Sequence, residues 1–269
     1  MLQQTTPLER TPGSGPGAPL VALRGVSKAF SNGTVALQNL SLEIGAGEFV
    51  SLLGPSGCGK STALRIIAGL GEPTSGTIDW PLDPAGGREI AFVFQEPTLM
   101  PWATVFDNVR LPLRLRGISK SAARVAVTEA LASVGLEKFA ASYPRELSGG
   151  MKMRVSIARA LITRPKLLLM DEPFAALDEI TRFKLNDDLL RLQHDLGCTV
   201  VFVTHSVYES VYLSTRIVVM AARPGRVVAE IDVDMPERDE SFRSSPLYAE
   251  LCRDASRALH GAMAPDEHL

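Results

Sequence analysis

The sequence predicts an α/β fold in which a parallel sheet is covered by helices on both faces, with a helical segment inserted into it. Three observations carry this. Apolar runs of strand length, residues 167–170, 199–203 and 216–220, alternate with helix-length segments at about 180–196 and 206–213; strands buried on both faces lose the polar alternation of a half-solvated sheet. Between about residues 95 and 163 the apolar residues instead recur at three- and four-residue spacing, the period of helix. The stretch LGPSGCGKST, residues 53–62, fits G-x-x-x-x-G-K-[ST] and stands between the short apolar run Phe49–Leu53 and a helical pattern over 61–68.

In chain order, residues 1–19 are rich in Thr, Pro and Gly without periodicity and are expected to be a flexible tail, because they bury too little to offset the entropy of ordering. Two candidate strands follow, 20–23 and 40–44, separated by the turn Ser31-Asn32-Gly33. After the strand, loop and helix of residues 49–68, the segment 69–76 breaks the pattern, 77–80 reads as a short strand and 90–94 as a stronger one. Helices are expected at 104–115, 121–134 and 150–162, with Gly117 and Gly135 as stops. A last strand is expected at 227–231, and residues 235–269 are charged and partly helical, with no role assigned.

Composition excludes several classes. The 269 residues are 45% hydrophobic and 22% charged with a formal net charge of -2, enough for a substantial core and no basis for holding nucleic acid by bulk electrostatics. Cys58, Cys198 and Cys252 are odd in number and form no CxxC pair, which suggests neither a disulfide framework nor a zinc site and points to a reducing compartment. Apolar runs such as 217–222 are far shorter than the ~20 residues of a membrane-spanning helix, and the N-terminus lacks an apolar signal core, so the chain is not expected to cross a membrane by itself.

The chemistry begins at the glycine-rich loop. Gly54, Gly57 and Gly59 let the backbone bend until successive N–H groups face anionic oxygens, and the helix that follows adds its unpaired N–H groups and positive dipole end. Lys60 would reach the β and γ phosphates of a nucleotide, and the Ser61 hydroxyl would ligate Mg²⁺. No such contact needs a thiol, so Cys58 reads as a spacer. The second element is the buried run 167–170 ending in Asp171 and Glu172. In a parallel α/β sheet ligands sit beyond the carboxyl ends of strands, which would bring Asp171 beside the loop to hold Mg²⁺ and Glu172 to polarise an attacking water.

Further along come Gln95 after an apolar strand, Leu147-Ser148-Gly149-Gly150 at a helix start, Ala176-Leu177-Asp178, and Thr204-His205 after the strand 199–203. With the two phosphate-site motifs, this ordered set resembles the nucleotide-binding subunits of ATP-binding cassette (ABC) transporters, over about residues 20–231. The resemblance implies a RecA-like phosphate-loop core with a parallel sheet, an N-terminal antiparallel β subdomain and an inserted α-helical subdomain. It implies an ATPase domain over 20–234, the insertion at about 95–163 and a C-terminal extension at 235–269.

The same resemblance implies the site. ATP would be held by Gly54, Pro55, Ser56, Gly57, Cys58, Gly59, Lys60, Ser61 and Thr62, with Phe30 stacked on adenine; stacking tolerates Phe for Tyr, and a core Phe is the alternative. Mg²⁺ would be held by Ser61, Asp171 and Gln95, and Gln95 would also meet the attacking water. Glu172 would be the catalytic carboxylate, held in line by His205. Ser148, Gly149 and Gly150 would bind the γ-phosphate of ATP on a second copy, and Asp178 would cross to that copy; on the residues alone Ser148-Gly149-Gly150 reads first as a helix N-cap, and Asp178 equally as an N-cap of the helix from Ile180. Met151 stands where the family usually has Gln, which removes a side-chain hydrogen bond and leaves the anion donors in place.

Gln95-Glu96-Pro97-Thr98-Leu99-Met100-Pro101-Trp102, the following Val105-Phe106-Asp107-Asn108-Val109, and Phe174-Ala175-Ala176-Leu177-Asp178 resemble the importer subfamily for nitrate, taurine, aliphatic sulfonates and related solutes. In that subfamily the region docks the membrane subunit, so Leu99, Met100, Pro101 and Trp102 are candidate docking contacts, with packing of the insertion onto the core as the alternative. Arg110, Arg114 and Arg116 are expected to form a solvated basic face. The implied assembly is a homodimer on two integral membrane permease subunits, peripheral to the cytoplasmic face of the inner membrane, fed by a solute-binding protein and without nucleic acid. A soluble ABC ATPase acting on DNA or ribosomes fits less well, because this chain has one cassette and no long coiled-coil insertion; an exporter usually differs around Gln95.

Overall fold

The computed structural model describes residues 18–81, 89–234, 238 and 240–263. The expected tail falls almost wholly outside them. Three strands open the chain, β1 (Val21–Ala29), β2 (Val35–Ile44) and β3 (Phe49–Leu53), followed by α1 (Lys60–Ile67), β4 (Ser75–Asp79) and β5 (Ile90–Val93). The helical segment is α2 (Val105–Leu115), α3 (Arg124–Ser133) and α4 (Gly149–Leu161). It leads into β6 (Leu167–Asp171), α5 (Glu179–Leu196), β7 (Thr199–Thr204), α6 (Val207–Leu213), β8 (Arg216–Ala221), β9 (Arg226–Asp232), α7 (Glu240–Arg243) and α8 (Pro246–Ala262).

Two sheets result. β2-β1-β4 is a small antiparallel sheet, and β5-β6-β7-β3-β8-β9 is a six-stranded sheet whose first five strands are parallel. β9, for which the sequence indicates a strand but no direction, runs antiparallel to β8. The connection from Ala221 to Arg226 is too short for a crossover, and the strand alternates between exposed and half-buried residues as an edge strand does. The small sheet is tied to this edge through Gly225, whose N–H donates to Ala36 O at 3.1 Å while its carbonyl accepts from Gln38 N at 2.9 Å.

Alternation of side chains along the central strands divides the core in two. Val50, Leu52, Leu167, Leu169, Val201 and Val203 pack with residues of β1, β2 and α1, whereas Phe49, Leu53, Leu168, Met170, Val200 and Phe202 pack with residues of the helices that follow β5. Every residue of β3, β6, β7 and β8 is buried, which is why these segments read as unbroken apolar runs. The C-terminal extension is part of this packing. Phe242, Cys252 and Ala255 are buried in the second core, and α8 lies against α6 and β8. One surface expectation fails: the Arg110 side chain is largely buried and pairs with Asp107 at 3.3 Å, because it turns along α2 toward the acidic residue one turn back; Arg114 and Arg116 are exposed as expected.

Candidate functional site

Register brings the motifs together. In the parallel ladders Leu53 is paired with Thr204 and Asp171 with Val203. The ends of β3, β6 and β7 therefore lie level, and the loop from Gly54, Glu172 and His205 emerge along one edge. Val93 is paired with Met170 one strand further out, so Gln95 leaves the same edge near Asp171.

Within the loop, Gly59 begins α1 at φ 89°, a conformation that L side chains rarely adopt, and a Cβ there would come within 2.6 Å of Ala36 O. Only glycine allows β2 to lie so close beneath the loop. Lys60 is buried, and its ammonium donates to Gly54 O at 2.7 Å and Pro55 O at 2.9 Å, with Glu172 Oε1 at 3.8 Å. Cys58 is wholly buried and burial pushes its thiol up, so it stays neutral and fills space under the loop, in keeping with a spacer.

Ser61 Oγ donates to Asp171 Oδ1 at 2.7 Å, joining the two residues singled out for Mg²⁺ from opposite ends of the sequence. Asp171 is 8% exposed; burial pushes its carboxyl up, the Ser61 hydroxyl opposes this, and the negative charge of Glu172 adds to it. A hard carboxylate and a hydroxyl that share a desolvated corner fit a small divalent cation, which would relieve the cost of the buried charge. Glu172 adopts φ 46°, uncommon for a residue with a Cβ, and is held there by its N–H donating to Val203 O at 3.1 Å. Its other carboxylate oxygen lies 3.5 Å from His205 Nδ1. His205 is flanked by a fixed bracket, since Thr204 Oγ1 accepts from Ser206 N at 3.0 Å and donates to Glu209 Oε2 at 2.5 Å.

A second group assembles elsewhere. Ser148 caps α4, its hydroxyl accepting from Met151 N at 3.3 Å, and Asp178 caps α5, accepting from Thr181 N at 2.9 Å and from Thr181 Oγ1 at 2.7 Å. The Thr181 hydrogen bonds, backbone first, hold the Asp178 carboxyl below the usual range. Gly150 presses on the same threonine: a Cβ there would stand 2.6 Å from Thr181 Cγ2. Ser148 and Gly149 are exposed, and Met151 packs against the core. Among the described residues no hydrogen bond or ion pair joins Ser148, Gly149, Gly150 or Asp178 to the loop at 54–62.

Phe30 follows β1 with 46% of its surface exposed and Lys28 Nζ 5.7 Å from its ring centroid, so it stands as an open aromatic face and is no core residue. Gln95 is exposed, on a loop braced by two residues that sequence reasoning passed over. Asn108, wholly buried, accepts from Met100 N at 2.7 Å and donates to Met100 O, Ala103 O and Thr104 O at 3.0–3.1 Å. Arg159 donates to Pro97 O and Thr98 O, both at 2.8 Å. Asn108 was findable, as a polar residue on the buried face of α2 between Val105 and Val109; Arg159 carries no comparable signal. At the loop's end Trp102 is 77% exposed while Leu99 packs inward, so packing onto the core does not account for the tryptophan.

Comparison with known proteins agrees with this geometry. Residues 37–175 match the family model described as "ABC transporter". The chain is 46% identical over 245 residues to the aliphatic sulfonates import ATP-binding protein SsuB 1 of Pseudomonas savastanoi pv. phaseolicola, covering 90% of this chain and 97% of that protein. It is 46% identical over 209 residues to the nitrate import ATP-binding protein NrtD of Synechocystis sp., covering 77% and 79%. Among solved structures it resembles the dimeric post-hydrolysis state of the ATP-binding cassette MJ0796 bound to ADP and Pi, with a TM-score of 0.70, 38% identity, and 80% of this chain and 99% of that one covered. Among the described residues no helix is long and apolar enough to cross a membrane.

Proposed function

The chain belongs to the ABC transporter family, and from that premise we propose that it is the ATP-hydrolysing subunit of an importer for a small solute of the sulfonate, taurine or nitrate class, working as a homodimer. The observation that carries the reading is the hydrogen bond between Ser61 and Asp171 on a sheet edge that also presents Lys60, Glu172 and His205. Lys60 and the backbone N–H groups of the loop at 54–62, Pro55 excepted, hold the phosphates. Ser61, Asp171 and Gln95 would hold Mg²⁺, which when bound neutralises phosphate charge. Glu172 accepts a proton from the attacking water, and His205 fixes its direction. Phe30 stacks on adenine.

Ser148, Gly149, Gly150 and Asp178 serve the nucleotide of a second copy; their isolation from the loop within one chain supports this, as does the dimeric state of the related cassette. Exposed Trp102 and Pro101, with half-buried Met100 beside them and Leu99 packed beneath, offer the face to a membrane-embedded permease, which would hold the ATPase at the cytoplasmic side of the membrane and link it indirectly to a solute-binding protein. Phosphoryl transfer depends chiefly on positioning and charge neutralisation, and closure of two such copies completes both.

The test is Glu172→Gln. Loss of a positioned general base lowers turnover by about 10²–10⁴-fold, and ATP is expected to drive the variant into a stable dimer, read by light scattering. Turnover equal to wild type would remove Glu172 from the mechanism.

A further inference from the structure

We propose that Arg182 and Glu209 are positioning residues that couple the two nucleotide sites of the dimer through contacts within each chain, by tying the His205 segment to the Asp178 and Gly150 segment. The inference rests on the proposed function, in which His205 attends the chain's own ATP while Asp178 and Gly150 attend the partner copy's ATP. Between these two segments runs a continuous set of contacts, all within one chain.

At one end, Thr204 Oγ1 takes the N–H of Ser206 at 3.0 Å and gives its proton to Glu209 Oε2 at 2.5 Å, so the residues on both sides of His205 depend on one hydroxyl. Glu209 is only 7% exposed, which makes its two oxygens costly to leave without partners. The second oxygen faces Arg182 Nε at 3.5 Å. The guanidinium of Arg182 reaches back along α5 and donates to Leu177 O at 3.0 Å, the carbonyl immediately before Asp178. Asp178 in turn holds both the N–H and the hydroxyl of Thr181. The Thr181 methyl is the surface that a Cβ at Gly150 would strike at 2.6 Å. Each step from His205 to Gly150 is a covalent link or a direct contact, although Arg182 and Glu209 also line an open cavity and His205 and Asp178 are exposed.

The middle of this path touches no nucleotide-binding residue of the loop, and neither Arg182 nor Glu209 is placed to meet a phosphate. The contact between them is also the loosest: at 3.5 Å it falls short of a hydrogen bond, and among the described residues Arg182 Nε has no hydrogen-bond partner. A displacement of His205 and the start of α6 therefore changes how firmly Arg182 is held, and Arg182 positions the turn before α5. A purely structural ion pair would contribute stability alone. A coupling pair sets the cooperativity between sites, and that difference is measurable.

The experiment uses the full chain and steady-state ATPase rates as a function of ATP concentration, with melting temperature as the control for folding. Wild type is expected to be cooperative. In Arg182→Ala and Glu209→Gln the Hill coefficient should fall toward one, and kcat should fall about ten-fold with KM within about two-fold, the pattern of a lost transition-state arrangement rather than lost binding. The double variant should be no worse than either single one, because one path is cut twice. If Arg182→Ala does not fold, Glu209→Gln decides by itself, since it keeps the side-chain volume and an acceptor for Thr204. Folded variants with the wild-type Hill coefficient and kcat, additive losses, or a wild type that hydrolyses without cooperativity would overturn the coupling alone. A wild type that hydrolyses no ATP would overturn the proposed function beneath it.

Discussion

Residues 54–62, 171–172 and 204–205 grow out of the ends of three fully buried parallel strands, whereas residues 148–150 and 178 cap the starts of two helices at the surface. The first group is positioned by the core and crowded with charge: Glu172 lies 3.8 Å from Lys60 and 3.5 Å from His205, and Asp171 is hydrogen-bonded to Ser61 beside them. The second carries little charge and is positioned by side-chain caps and by the packing of one glycine on one threonine. The strand-end half is sensitive to charge, and at Gly59 also to volume; the capped half, with the Asp178 carboxylate as its one charge, is sensitive to volume at Gly150.

The largest effect expected from breaking this comparison is at Gly150. Gly150→Ala brings a Cβ to 2.6 Å from Thr181 Cγ2, so Thr181 and the Asp178 it holds must move. Misplacement of a catalytic arrangement by about 1 Å can cost on the order of 10²-fold in rate. Hydrolysis is expected to fall by roughly that factor, while ATP binding to the monomer, measured by calorimetry, stays as in wild type because the strand-end half is untouched. Adding Thr181→Ser removes the methyl and keeps the hydroxyl on Asp178, and should return most of the rate. Failure of that rescue would separate Gly150 from Thr181.

A smaller effect, of opposite kind, is expected at Asp171. Burial raises its carboxyl above the ordinary value of 3.8, so the folded state holds the proton more tightly than the unfolded chain does. The stability contributed by the neutral carboxyl is complete below that ordinary value and is lost as pH rises through the raised one. At neutral pH the ionised group is thus a net cost. Asp171→Asn keeps an acceptor for Ser61, and without metal its Tm should rise by about 2–4 °C, the shift that ~1 kcal/mol produces in a protein of this size. The gap should close as pH is lowered toward the ordinary value of 3.8. With Mg²⁺ and ATP the order should reverse, because the variant lacks the carboxylate proposed to hold the metal. The positive charges of Arg65 on α1 and of Lys60 act against burial at Asp171, and a metal-free Tm below wild type would show that they compensate its charge fully.

How much of this was legible in the sequence divides along the same line. The strand-end half was readable because a buried parallel strand announces itself as a continuous apolar run and the ligand-facing residue comes immediately after it, as Glu172 follows Asp171 and His205 follows Thr204. The capped half was readable only as N-caps; its function came from resemblance, since Ser-Gly-Gly before a helix has many uses. What the sequence hid are residues that act from behind. Glu209 and Arg182 meet across two helices, and Arg159 reaches the 97–98 carbonyls from α4; no local period reports a contact between elements so far apart in the chain. The direction of β9 was hidden for a simpler reason, that an edge strand after a short turn looks like any other strand until its partner is known.

Phe30 belongs to neither half, and the smallest effect is expected there. Its ring is nearly half exposed and is approached by Lys28, so removing it opens no cavity and should leave Tm unchanged. Aromatic stacking contributes about 0.5–1.5 kcal/mol beyond the area it covers, so Phe30→Ala should weaken ATP binding by about 2–10-fold, and Phe30→Tyr should restore it. The sharper form of the test compares ATP with inorganic tripolyphosphate, which presents phosphates without a base. Stacking predicts that Phe30→Ala weakens ATP and leaves tripolyphosphate binding as it was. Equal losses for both would mean that the ring acts on the phosphate loop through the β1–β2 turn, where the Phe30 N–H and carbonyl are both hydrogen-bonded, and would move Phe30 from the adenine face into the strand-end half.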